Sequence, residues 1–163
     1  MIETCCNEYR CNRYMTVAER LKTKKFRSKE QEAVLAVLLA ASQIRNDMGP
    51  NAFGEDLSQE QYNILRILRG VFPEGHSCGE ISSRMVDNSP DITRRIDALV
   101  KKGYATREKS AEDRRVVVTR ITQKGLDVLA KLDDNVHKKE SAIMSKFTVD
   151  ECNALIALCE KII

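Results

Sequence analysis

A chain of 163 residues with 42% hydrophobic content is long enough to close one compact core, with room for an added helical layer. Aromatic residues make up only 5% and Trp is absent, so the core must be aliphatic and is predicted to be helical. Charged residues reach 31% yet nearly cancel at +3, which excludes a uniformly basic coat and makes the distribution of charge the informative quantity.

Residues 1–27 show scattered charge without apolar periodicity and are expected to form a flexible arm, at most loosely helical. The arm holds Cys5, Cys6 and Cys11, which lack the paired spacing of a zinc knuckle, and Met15, a second point from which translation can start. Cys78, Cys152 and Cys159 complete the six cysteines, all expected to be free thiols in a reducing compartment. The longest apolar run, 33–41, is nine residues, short of the ~20 that span a bilayer, and no signal-peptide pattern precedes it. A cytoplasmic protein without a membrane partner is the expectation.

The first long helix is predicted over 28–48, with Val34, Leu38, Ala41, Ile44 and Met48 on one stripe and Gly49-Pro50 ending it. Ser58-Gln59-Glu60-Gln61 is a capping box that opens a helix to Arg69, with Tyr62, Leu65 and Leu68 inward. Pro and Gly make 72–76 a loop, with a short strand near His76. Ser77-Cys78-Gly79-Glu80 is a second capping box, starting a short helix that ends near Val86. Cys78, at a helix N-terminus where negative charge is favoured, is the redox candidate among the thiols.

Residues 84–120 hold ten Lys/Arg against six Asp/Glu, a local excess of basic charge. Within them Ser89 is placed to cap a helix, Pro90 fits its first turn, and Ile92, Ile96 and Leu99 form its apolar stripe. Gly103 is predicted as the left-handed residue that closes it. Two strand-like runs, 104–108 and 115–121, follow around the polar turn 109–114. A helix of major-groove size beside an arginine-tipped ribbon outlines a winged helix-turn-helix DNA reader. Its candidate contacts are Ser89, Asp91, Thr93, Arg94 and Arg95 on the helix and Asp113, Arg114 and Arg115 on the wing. Arg94 is the favoured guanine reader. Arg95 is divided between base readout and a solvent-facing or phosphate role, and Asp91 between cytosine and a salt bridge to Arg95. Asn88 and Ser82 are weaker phosphate candidates.

Beyond the wing, Thr122 is predicted to cap a helix to about Lys146 that carries Leu126, Leu129, Leu132, Val136, Ile143 and Phe147. Thr148-Val149-Asp150-Glu151 is a further capping box for a last helix with Leu155, Ile156, Cys159 and Ile162 apolar. The fold class expected is therefore mainly α with a small β-wing: a winged helix-turn-helix over 57–121, flanked by helices at 28–48 and 122–163. The flanking stripes exceed what the small winged domain can cover. Leaving Leu-sized side chains exposed costs ~1.5–3 kcal/mol each, so a two-fold homodimer joined by these helices is expected.

The strings Asp113-Arg114-Arg115, Leu99-Val100-Lys101-Lys102-Gly103-Tyr104 and Ile121-Thr122-Gln123-Lys124-Gly125 occur in the order and spacing of a known pattern. They resemble the multiple-antibiotic-resistance regulator (MarR) family of bacterial transcription factors, with Ile121 where Leu is usual. The resemblance covers roughly residues 29–163 and gives 28–163 as one family-like domain after the arm. It implies dimerisation through the first and last helices, Arg115 in the minor groove, and a small, often aromatic or phenolic effector bound between the dimer helices and the winged domain.

No catalytic residue is expected: His76 and His137 are far apart and no nucleophile, phosphate-loop or metalloprotease motif occurs. His137 and Glu140 make at most half a metal site, so neither metal nor cofactor is expected. The function expected is a sequence-specific transcriptional regulator, a repressor released by an effector, bound to a pseudo-palindromic duplex. The competing readings are a thiol-based redox regulator and a non-specific architectural DNA-binding protein.

Overall fold

The computed structural model describes residues 15–54, 57–86, 91–110 and 113–163. The chain falls into two compact units, Met1–Asn46 and Asp47–Ile163.

In the first unit a short, capped helix, α1 (Val17–Leu21), lies within the arm that the sequence pattern predicts to be flexible and at most loosely helical. A capping box makes it: Thr16 accepts the Glu19 backbone N–H, and the Glu19 carboxylate accepts the Thr16 N–H. Lys22 ends it in the left-handed region at φ 52°. Next comes α2 (Lys29–Met48), where Val34, Leu38 and Ile44 of the predicted stripe are exposed, as is Val37 beside it.

The second unit begins with buried Met48 and a 3₁₀ turn at Pro50–Phe53, where the Gly-Pro pair predicts only a stop. Its helices are α3 (Gln59–Arg69), α4 (Cys78–Ser83), α5 (Ile92–Lys101), α6 (Gln123–Met144) and α7 (Val149–Glu160). Ser58, Ser77 and Thr148 each close the capping box their sequence announces, and Thr122 caps α6 by accepting the Gly125 N–H at 3.1 Å. Helix α4 stops at Ser83, short of the end expected near Val86.

Three antiparallel strands, β1 (His76–Ser77), β2 (Ala105–Lys109) and β3 (Val117–Ile121), stand in the order β1-β3-β2. Register pairs His76 with Thr119 and Ala105 with Ile121. The short β1 thus ties the entrance of α4 to the base of the wing, and Thr119 on the central strand is fully buried.

Ile64, Leu65 and Leu68 of α3 meet Ile81 of α4, Ile96 and Leu99 of α5 and Leu129 of α6 in one core, each fully buried. These seven are aliphatic, but the same core also buries Phe53, Tyr62 and Tyr104, so it is not aliphatic throughout as the composition suggests. Fully burying such side chains stabilises by ~1.5–3 kcal/mol apiece, so this cluster fixes where α5 and the wing project. The α3–α6 contact adds a polar clasp: Asp133 accepts from the Tyr62 hydroxyl at 3.3 Å and from Arg69 Nη1 at 2.6 Å. Helix α7, by contrast, has no buried residue, and Leu155, Ile156, Leu158 and Ile162 are exposed.

Candidate nucleic-acid interface

The sequence order α3–β1–α4–α5–β2–β3 places two successive helices and a hairpin on one frame. Helix α5 is held from behind by Ile92, Ile96 and Leu99, which leaves its opposite side to solvent. It begins at Ile92 with Asp91 at the N-cap position, later than the turn at Pro90 that the sequence suggests. The expected cap Ser89, with Pro90 and the phosphate candidate Asn88, lies outside the described residues. The C-terminus of α5 closes as predicted. Gly103 takes φ +75°, its N–H reaches the Val100 carbonyl, and the Tyr104 N–H reaches the Leu99 carbonyl, the paired bonds of a Schellman motif.

On the solvent side, Arg94 is 84% exposed in its side chain and lies 3.3 Å from Asp91. Helical spacing offers Arg95 as the partner of Asp91, and the structure chooses Arg94, three residues on rather than four. Arg94 is therefore neutralised loosely, by a carboxylate that is itself exposed, in a pair worth ~0–1 kcal/mol that a nucleic acid can replace. Thr93 is exposed beside α4, its hydroxyl 3.6 Å from Cys78 Sγ. Arg95 turns the other way: its guanidinium reaches back to Glu60 on α3, with Nη1 2.9 Å from Oε2.

The wing is built by a turn inside the hairpin. The Asp113 carboxylate accepts the Arg115 backbone N–H at 2.9 Å, the Asp113 carbonyl accepts from Val116 N–H, and Ser110 N–H closes on the Val116 carbonyl. Asp113 thus fixes the turn through the backbone. Arg114 and Arg115 stand exposed at its edge. Farther down, Arg107 bonds Asp97 of α5, and Arg120 bonds Glu108 at 3.0 Å, so the wing is braced both to the helix and across its own strands. These braces engage Arg107 and Arg120. The arginines of the helix and hairpin left forward, among the described residues, are Arg94, Arg114 and Arg115.

Three pairings carry almost no signature in the sequence: Glu60 with Arg95, Asp97 with Arg107, and Asp133 with Arg69. The one local sign is the position of Arg95 on its helix. At ~100° per residue it lies roughly 60° from the centre of the apolar stripe, whereas Arg94 lies roughly opposite.

A second feature borders this frame. A recess of about 120 Å³ is lined by Met48, Phe53, Tyr62, Met85 and Val136, with Glu60, Arg66 and Glu140 at its polar edge. The Arg66 guanidinium stands 5.9 Å over the Tyr62 ring, and Phe53 packs on the same ring with centroids 5.0 Å apart. Glu60 is pulled two ways. Partial burial pushes its carboxyl up, while the Ser58 hydroxyl, its own backbone N–H and the Arg95 guanidinium together bring it below the ordinary value.

Two successive helices, the second exposing arginine, with an arginine-bearing hairpin alongside, define a winged helix-turn-helix DNA-binding protein. The family model described as the MarR family matches residues 57–117, from the start of α3 into β3. The chain is 33% identical over 123 residues to the uncharacterised HTH-type transcriptional regulator YpoP of Bacillus subtilis, covering 74% of this chain and 83% of that one. A MarR transcription factor from Planctomyces limnophilus has the same fold, with a TM-score of 0.63 and 36% identity over 83% of this chain and 98% of that one. A cysteine-to-serine mutant of MarR from E. coli, solved with operator DNA, shares the fold at a TM-score of 0.70 and 19% identity, over 78% of this chain and 91% of that one. The chain belongs to the MarR family of DNA-binding transcriptional regulators.

Proposed function

We propose that this protein is a sequence-specific repressor that binds a pseudo-palindromic DNA duplex as a homodimer and is released by a small effector. The observation that carries the DNA reading is the shared frame of Arg94 and Arg115. One stands on the outward face of α5 and the other at the wing edge. A helix in the major groove brings Arg94 to base edges, where Arg is the usual bidentate reader of guanine, and the hairpin then carries Arg115 toward the adjacent minor groove. Asp91 and Thr93 flank Arg94 on the same side, and Asp113 and Arg114 shape and support the wing. The unmatched apolar faces of α2 and α7 support the dimer, which supplies two recognition helices for two half-sites.

The recess beside Tyr62 supports the effector. Its walls, Phe53, Tyr62, Met48, Met85 and Val136, suit a small aromatic or phenolic molecule. Glu60 at its edge is the partner of Arg95 on the recognition helix, which gives an occupant a route to α5.

The test is competition between a selected duplex and random DNA at physiological salt. A sequence-specific regulator holds its operator ~10³-fold or more tighter. Equal affinity for both would leave an architectural DNA-binding protein instead. A second reading, a thiol switch, draws on the contact between Cys78 and Thr93 of the recognition helix. Loss of operator binding after peroxide, restored by reductant and absent in Cys78→Ser, would establish it.

A further inference from the structure

We infer that Arg95 acts on DNA without touching it: Glu60 holds it against α3, and this ion pair, added to the core contacts, trims the rotation of the recognition helix. The inference rests on the DNA-binding reading and assigns Arg95 and Glu60 as positioning residues, leaving base contact to Arg94.

Three observations carry it. First, the two arginines, adjacent in sequence, differ in environment: the side chain of Arg94 is 84% exposed and that of Arg95 only 26%. Second, Arg95 Nη1 has no exposed surface and lies 2.9 Å from Glu60 Oε2, as an ion contact whose angle does not make a hydrogen bond. A guanidinium nitrogen withdrawn from water in this way cannot also face a base or phosphate. Third, Glu60 is itself fixed. Its Oε2 accepts from the Ser58 hydroxyl at 2.7 Å, in the first turn of α3, so the carboxylate is anchored before Arg95 arrives.

The apolar stripe of α5 seats the helix and fixes its direction, because interdigitated core side chains pack tightly. The charged contact at the flank, off the centre of that stripe, adds a further restraint on rotation about the helix axis. Rotation would carry Arg94 away from the base edges, so the pair acts on affinity through geometry. Because Glu60 also borders the recess, an occupant that draws its carboxylate away would loosen this same contact.

The experiment uses the full chain and a duplex selected from a random pool by the wild-type protein. Operator affinity, random-DNA affinity, the salt slope of operator binding and thermal stability are measured for Glu60→Gln, Arg95→Ala, Arg94→Ala and the exchanged pair Glu60→Arg/Arg95→Glu. Positioning predicts that Glu60→Gln and Arg95→Ala each lose about five- to ten-fold in operator affinity, with random-DNA affinity and salt slope unchanged and every base position affected alike. The exchanged pair should recover most of that loss. A direct phosphate contact by Arg95 would instead lower the salt slope by about one on Arg95→Ala, and the exchanged pair, with a carboxylate facing DNA, would bind worst. Either result overturns the inference, as does a Glu60→Gln protein of normal stability and undiminished operator affinity. If the wild type selects no sequence from the pool, the sequence-specific reading fails. The salt slope of Arg95→Ala on random DNA then still decides whether Arg95 touches phosphate.

Discussion

A Cβ on Gly125 would lie 2.3 Å from the carbonyl oxygen of Tyr104 and 2.7 Å from Ile121 Cγ1. The close approach joins the entrance of α6 to the start of the wing, where the Tyr104 carbonyl accepts Thr122 N–H at 3.0 Å and the Thr122 hydroxyl donates to the Gly103 carbonyl at 2.8 Å. Thr122 and Gly125 are thus a packing device; the sequence marks Thr122 as a cap, while the close approach at Gly125 appears only in the fold. Gly125→Ala should destabilise the protein by ~1–3 kcal/mol, because backbone rather than a flexible side-chain tip must move. Denaturant titration checks it, and an unchanged midpoint would show that the approach relaxes freely.

The wing makes a second prediction. Arg115→Ala should weaken operator binding while circular dichroism and thermal midpoint stay normal, since its side chain is exposed. Asp113→Ala should weaken binding too, through the lost turn bond to Arg115 N–H, with a smaller effect. Wild-type affinity in both variants would take the wing out of the interface.

Two leucines separate folding from assembly. Leu129 is fully buried in the core of the second unit, so Leu129→Glu should abolish folding. Leu155 is 40% exposed on α7, so Leu155→Glu should leave the winged unit folded and convert a dimer, of about twice the 18.5 kDa chain mass, to monomer. Sedimentation at micromolar protein reads both. A wild-type monomer would remove the dimer from the proposal.

Asp133→Ala removes one acceptor from both Tyr62 and Arg69. The two charged side chains are more than a third exposed, so solvent screening holds the cost to about 1 kcal/mol. That corresponds to a fall of roughly 2–4 °C in thermal midpoint. A loss several times larger would mean that the clasp is far better shielded than its exposure shows.

Glu60 sets a pH signature. Its carboxyl lies below the ordinary value in the folded state, so its contribution to stability is complete above ~4.3 and is lost as pH falls through the lowered folded value. Stability from this group should be flat between neutral pH and ~5 and should decline below that. Glu60→Gln should lack this part of the acid slope, and a wild-type slope in that variant would refute the assignment.

Features set by neighbours within one helical turn are written directly in the chain. Ser58, Ser77, Thr122 and Thr148 announce their helices because a cap is satisfied three residues away, and Gly103 announces the end of α5 because few other residues take positive φ cheaply. The stripe of Ile92, Ile96 and Leu99 is legible for the same reason, and with it the exposure of Arg94. The capping box of α1 is equally local, but the scattered charge around it masks the signal.

Which arginines are engaged is settled by packing instead. Arg95, Arg107 and Arg120 meet Glu60, Asp97 and Glu108, partners 10 to 35 positions away or across a hairpin. No periodicity encodes such a meeting, since it depends on how α3, α5 and the wing are set against one another by the aliphatic core. That is why arginines of similar promise in the sequence divide, in the fold, into those that hold the frame and those that face outward from it.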